Sequence, residues 1–372
     1  MNIPFHKTHI GKEEIESVVE ALKSGWITMG PKVIEFEKKF KEYLGVDYAV
    51  SVNSATSALH LALKAVGVQA GDEVIIPTNT FIATAEVVTY FNAIPVLCDI
   101  EETTHNMDVK KIESLITDKT KAIIPVHFAG QPCDMEEISS IAKKHNLYVI
   151  EDAAHAFPSK YKEHYIGQLS DITCFSFYAT KTLATGEGGM ATTSNSEFAK
   201  SMKINRLHGI SRDAWDRYTT KGSWFYQVVD NGFKYNMTDM NAALGLSQLK
   251  KSDLFNDQRK EIANRYMEAF SKAGIQTTVV KPNRSTSWHL FVIKVNNRNE
   301  FIEQFKSENI GCSVHFIPVH MHPYYQDTYN YKKDDYPIAN SVFEKSVSLP
   351  IFPEMTDEEV SYVIEKVLKY AE

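Results

Sequence analysis

Short apolar runs recur along the first half of this 372-residue chain at Val74–Pro77, Pro95–Asp99, Ala122–His127, Tyr148–Asp152 and Ile172–Phe177, with helix-like stretches between them. This alternation constrains the fold more than any other feature. Parallel neighbours need a crossover long enough to hold a helix, and strands covered on both faces read as unbroken apolar runs. The pattern predicts an α/β fold whose mostly parallel sheet is covered by helices on both sides. Two amphipathic helices are expected ahead of it, marked by Ile15, Val18, Val19 and Leu22, then by Val33, Phe36, Phe40, Tyr43 and Leu44. Residues 257 to 273 read as one long helix with Ile262, Tyr266, Ala269 and Phe270 on its apolar stripe. After the polar loop Lys281 to Ser287 comes a smaller α+β unit, with strand-like His289–Val295 and Gly311–Phe316. Its closing helix begins at a capping box, Thr356 to Glu359. The length suits about two domains, a large one over 1–255 and a small C-terminal one over 256–372.

In an open α/β sheet, ligands gather at the carboxyl ends of the strands. Two residues with complementary chemistry stand there. Asp152 ends Val149-Ile150-Glu151-Asp152, and Lys181 follows Phe175-Ser176-Phe177-Tyr178-Ala179-Thr180. An aldehyde cofactor such as pyridoxal 5′-phosphate needs an amine to hold it covalently and a carboxylate to keep its pyridine nitrogen protonated. Lys181 and Asp152 supply both. For the phosphate, Ser51-Val52-Asn53-Ser54-Ala55-Thr56-Ser57 joins a strand-like stretch to a helix-like one, offering small and hydroxyl residues at free helix amides. Ser176 offers a further hydroxyl.

Composition sets bounds. A formal net charge of −7 argues against nucleic acid as a partner. Cys98, Cys133, Cys174 and Cys312 show no paired spacing, so neither a metal site nor a disulfide framework is expected. No run approaches the ~20 apolar residues that cross a bilayer, and no early segment has the make-up of a secretory leader. The expectation is a cytoplasmic protein with no membrane partner.

Several blocks together resemble the DegT/StrS family of fold type I pyridoxal phosphate enzymes, aminotransferases of nucleotide-linked keto-sugars. They are Ser24-Gly25-Trp26-Ile27-Thr28-Met29-Gly30-Pro31, Asn53 to Leu59, Glu151 to Ala156, Ser176 to Lys181, Gly186-Glu187-Gly188-Gly189, Gly232 to Asp239 and Val314 to Pro318. The resemblance implies that Lys181 holds the cofactor and moves the proton, and that Asp152 pairs with the pyridine nitrogen. Ala154 and Phe81 would cover the two ring faces, with His155 near the phenolic oxygen. Ala55, Thr56 and Ser176 would hold the phosphate, joined by Asn236 from a second subunit of a homodimer with shared active sites. Thr28, Lys234, Tyr178, His315 and His320 are the positions expected to meet substrate. The implied reaction takes an amine from L-glutamate, leaving 2-oxoglutarate, and gives it to the 4-keto carbon of a nucleotide-linked sugar, with UDP as the favoured nucleotide. The blocks at Gly25 to Pro31 and Gly232 to Asp239 are most similar to those of the enzymes that make UDP-4-amino-4-deoxy-arabinose and UDP-4-amino-dideoxy-N-acetylhexosamines, which serve surface-polysaccharide biosynthesis.

Two other readings share this fold. Family members in which His replaces the lysine are dehydratases, and Lys181 argues against that chemistry here. A non-catalytic regulator is the second, and it conflicts with the joint presence of Lys181, Asp152 and Ser176. Residues 211 to 232 have no clear period; their Trp215, Tyr218, Trp224, Phe225 and Tyr226 suit either a substrate-covering loop or an interface.

Overall fold

The computed structural model describes residues 1–211 and 225–371, so Trp215, Tyr218 and Trp224 lie outside the described residues. The apolar runs form the expected strands: β1 (Tyr48–Val52), β2 (Glu73–Pro77), β3 (Ile94–Cys98), β4 (Thr120–Ile123) and β5 (Tyr148–Asp152). A two-residue hairpin, β6 (Lys160–Tyr161) and β7 (His164–Tyr165), precedes β8 (Ile172–Ser176) and β9 (Gly189–Thr193). The main sheet has seven strands in the order β1-β9-β8-β5-β4-β2-β3. Strands β8, β5, β4, β2 and β3 run parallel, while β9 pairs antiparallel with both β8 and β1. Apolar clusters cover both faces, one with Leu59, Leu63 and Val87, the other with Phe36, Phe40 and Phe175.

Strand β9 was not legible because Gly189-Met190-Ala191-Thr192-Thr193 opens on glycine and lacks a continuous apolar run. Packing explains the glycine. A Cβ on Gly189 would stand 2.6 Å from the carbonyl carbon of Ser54, so the strand can lie against the start of helix α3 (Ala55–Ala65) only without a side chain there.

Helices α1 (Lys12–Lys23) and α2 (Pro31–Leu44) form where periodicity places them. In α2 the expected residues Val33, Phe36, Phe40 and Leu44 are buried. In α1 they are not: Ile15, Val19 and Leu22 are exposed, and the buried positions are Glu14 and Ala21. Glu14 turns inward because its carboxylate accepts from Lys251 at 2.9 and 3.0 Å and from the Gly11 amide. The start of α2 is capped from far along the chain. Asp239 accepts from the amides of Gly30 (2.8 Å), Lys32 (3.1 Å) and Val33 (3.0 Å), which joins two of the blocks singled out in the sequence.

The long helix runs Ser252–Lys272 and leads to a three-stranded sheet of Gln276–Thr277, Phe291–Lys294 and Ser346–Leu349. The closing helix is Asp357–Tyr370, with the capping box at Thr356 and Glu359 formed. Gly311–Phe316, expected as a strand, makes only a single bridge, Ser313 with Ser348. Its neighbours are taken on both sides, since the Gly311 amide donates to Ile3 (2.8 Å) and the chain then turns His315 and Phe316 into a cavity. Ile3 itself is fully buried among Phe305, Ile310 and Val363.

Candidate active site

At the carboxyl ends of β5 and β8 lies a cavity of about 520 Å³. Ser54, Ala55 and Thr56 from the start of α3 line it, with Phe81 at the start of α4 (Ile82–Thr89) and Asp152, Ala154, His155, Ser176, Tyr178 and Lys181 from the ends of β5 and β8. Phe5, His6, His289, His315, Phe316 and Ile351 line it as well.

Asp152 is buried, and both of its oxygens are engaged. Oδ2 accepts from the Thr84 hydroxyl at 2.7 Å, and Oδ1 from the Ala154 amide at 3.1 Å. Thr84 in turn meets the Thr80 hydroxyl at 2.8 Å. Burial pushes the Asp152 carboxyl above its ordinary range despite these donors, so a cationic N–H arriving in the cavity would hold it ionised. Its neighbour Glu151 points the other way, into a sealed network. Glu151 Oε2 lies 2.7 Å from His127 Nε2, and Oε1 accepts from Ser170 (2.7 Å) and Thr173 (2.8 Å). Because His127 Nδ1 accepts from the Cys133 amide at 3.1 Å, Nε2 carries the proton toward Glu151.

Burial brings the Lys181 amine down to about 8, with the Asp152 charge opposing the shift. An amine tuned this way is free base often enough near neutrality to attack an aldehyde and to carry a proton. Its Nζ stands 3.4 Å from His289 Nε2. Four imidazoles share this part of the cavity. Burial holds His155 and His289 well below the usual histidine range and brings His6 and His315 to about 4. His155 stacks on Phe316 at 5.8 Å and meets His289 at 4.3 Å; Nδ1 of each is buried without a hydrogen-bond partner.

The residues fit pyridoxal phosphate. The amides of Ala55 and Thr56 start a helix and have no helical acceptor, and the Thr56 and Ser176 hydroxyls line the same cavity. The unpartnered His155 and His289 nitrogens mark polar surface that a bound polar molecule would satisfy. When bound, the cofactor supplies an electron sink for the carbon that gives up or receives the amine.

Not every expected residue reaches this cavity. Tyr178 and His315 line it, His315 Nδ1 being 2.9 Å from the Ser348 hydroxyl. His320 does not: it is fully buried, tied to Thr78 (2.6 Å) and Asn340 (2.8 Å) and stacked on Tyr336. Thr28 is exposed, its carbonyl accepting from the Asp239 amide. Lys234 donates to Asn236 at 2.6 Å, and both stand outside the cavity of their own chain. Conversely, His6, Thr84 and His289 were not singled out. His6 and His289 come from segments remote in sequence with no local pattern to mark them, whereas Thr84 follows Phe81 by three residues in one block.

Residues 8–368 match the DegT/DnrJ/EryC1/StrS aminotransferase family. The chain belongs to that family of pyridoxal phosphate-dependent sugar aminotransferases. It is 50% identical to the spore coat polysaccharide biosynthesis protein SpsC of Bacillus subtilis, over 98% of this chain and 96% of SpsC. Among solved structures it resembles the pyridoxal phosphate form of the sugar aminotransferase Spr1654 from Streptococcus pneumoniae, with a TM-score of 0.94, 35% identity and coverage of 100% of this chain and 99% of that one. It also resembles PseC of Helicobacter pylori, an aminotransferase of pseudoaminic acid biosynthesis, with a TM-score of 0.93, 29% identity and coverage of 100% and 99%.

Proposed function

We propose that this enzyme moves an amino group from L-glutamate to the 4-keto carbon of a UDP-linked sugar, in the cytoplasm, on the way to a surface polysaccharide. The observation that carries the reading is the pairing of a buried amine tuned to about 8 with a buried carboxylate in one cavity. Lys181 takes the proton from the donor carbon and returns it, and Asp152 holds the positive charge that the cofactor ring needs. His155, kept neutral by burial, is able to donate to a phenolic oxygen without bringing a competing charge. A nucleotide fits the exposed ring of Tyr178 at the cavity, which offers a stacking face for a base.

The active site is proposed to be shared in a homodimer. Exposed Ile15, Val19, Leu22, Ile27 and Ile34 give one chain an apolar surface that a second copy would cover. Asn236 then reaches the phosphate held by the other chain, which accounts for its position outside its own cavity.

The direct test incubates the loaded enzyme with L-glutamate and keto-sugars linked to UDP, dTDP or GDP. Amino-sugar and 2-oxoglutarate should form in equal amounts, fastest with UDP; loss of water from the sugar without amine transfer would instead establish a dehydratase. For the shared site, Lys181→Ala and Asn236→Asp chains are unfolded and refolded together. About a quarter of wild-type activity is the ceiling under random pairing with two-fold symmetry. Confirmed mixed dimers with no recovery would place Asn236 within its own subunit.

A further inference from the structure

Arg259 is a guanidinium in a place where a hydrophobic residue is expected. It lies on the apolar stripe of the helix Ser252–Lys272, between Phe255 and Ile262, and is 1% exposed. Its Nη1 donates to the carbonyls of Ile351 (2.7 Å) and Trp288 (3.3 Å), and its Nε is buried without a partner. Among the described residues no carboxylate pairs with it. Burying an unpaired cation is costly, and such a charge is retained only where something offsets it. Burial brings the group down to about 9, which leaves it charged at neutral pH.

Its two carbonyl partners lead straight to the cavity. Ile351 lines it, and Trp288 is followed by His289, which also lines it. Burial is the main reason that His6 and His289 stay neutral, and the nearby Arg259 charge acts on both in the same direction. Every ligand proposed for this cavity carries negative charge, yet among the described residues its lining holds one basic aliphatic amine, Lys181, which is committed to the cofactor. The field of a fixed cation behind a dry wall is weakly screened.

We infer that Arg259 is a specificity-determining residue, whose buried positive charge on the C-terminal side of the cavity selects amino donors with two carboxylates over donors with one. The inference deepens the proposed use of L-glutamate and rests on it. Arg259 acts without touching the donor, through the potential at the wall formed by His289 and Ile351.

The test measures binding of glutarate and of butyrate to the pyridoxal phosphate-loaded protein by calorimetry. Wild type should prefer glutarate by roughly tenfold or more. Arg259→Gln should lose about tenfold in glutarate affinity and less than about threefold in butyrate affinity. Arg259→Lys provides the reading that a purely structural clamp would not move. Burial depresses a lysine more readily than an arginine, so this variant should keep the glutarate preference at pH 6.5 and lose it by about pH 8, below the value of about 9 at which the wild-type guanidinium begins to lose its own charge. If Arg259→Gln does not fold, the pH dependence of Arg259→Lys decides alone. Equal loss for both ligands, or a preference in Arg259→Lys that follows wild type at every pH, would overturn the inference while leaving the glutamate reading intact. A wild-type protein indifferent between the two ligands would overturn both.

Discussion

On the sheet side of the cavity the Asp152 carboxylate is braced at both oxygens and the Glu151 carboxylate behind it is sealed by His127, Ser170 and Thr173, while His155 keeps one unpartnered ring nitrogen. On the C-terminal side His289 and Arg259 keep buried nitrogens without partners, and Phe5, His6 and His315 are delivered by separate segments. A wall that performs the same proton transfers on every substrate gains from rigidity. One that receives donor and acceptor in turn must leave polar groups for them to satisfy. Under the proposed reaction, this division assigns reaction type to the sheet and substrate choice to the segments that close over it.

The sharpest way to break this comparison is at Lys181. Lys181→Ala should abolish turnover by about three orders of magnitude or more, since it removes both the covalent anchor and the proton carrier. Measurable turnover near wild type in an amine-transfer assay would show that the sheet side does not hold the chemistry. Asp152→Asn comes next. It should lower kcat by about two to three orders of magnitude with the fold preserved; an effect confined to KM would move Asp152 to the substrate-binding class.

Behind the cavity, Glu151→Gln should cost ~1–3 kcal/mol of stability, because a buried network loses its charge. Burial raises the Glu151 carboxyl, but the hydrogen bonds from His127, Ser170 and Thr173 prevail and leave it below its ordinary value. A depressed carboxylate stabilises the fold above its unfolded pKa, and that contribution disappears as pH falls through the folded value. Urea unfolding of wild type and variant should therefore differ by a constant amount from pH 7 down to the ordinary carboxylate value of 4.5 and converge only below it. The gentlest probe is kinetic: the cofactor-free protein should capture pyridoxal phosphate faster as pH rises, levelling above the Lys181 value of about 8, because only the free base attacks. A rate that is flat across pH 7 to 9 would mean that attack by this amine does not limit capture.

Legibility in the sequence follows the same division. Lys181, Asp152, Ser176 and Ala55 lie in contiguous blocks at the ends of apolar runs, where local pattern and position agree. The parallel strands were readable for the same reason. Strand β9 was hidden because a glycine required by the approach of Ser54 interrupts the apolar signal. The apolar face of α1 was visible as a pattern, but its exposure depended on Glu14 finding Lys251, a contact that no periodicity encodes. His289 and His6 share a cavity only through tertiary folding, and His320, with similar surroundings in sequence, is instead consumed by Thr78 and Asn340.

The Ile3 amide donates to the Asn309 carbonyl at 2.9 Å, and Phe5 and His6 follow it into the cavity. Bringing together segments so far apart along the chain is slow and entropically expensive. During synthesis the strands of the main sheet emerge long before residue 309, so the sheet can form while its chamber still lacks a wall. Residues 3–6 must wait for residue 309 before they can close it. Until then the apolar lining stands open to water, which makes the half-built chamber the stage of folding most exposed to aggregation.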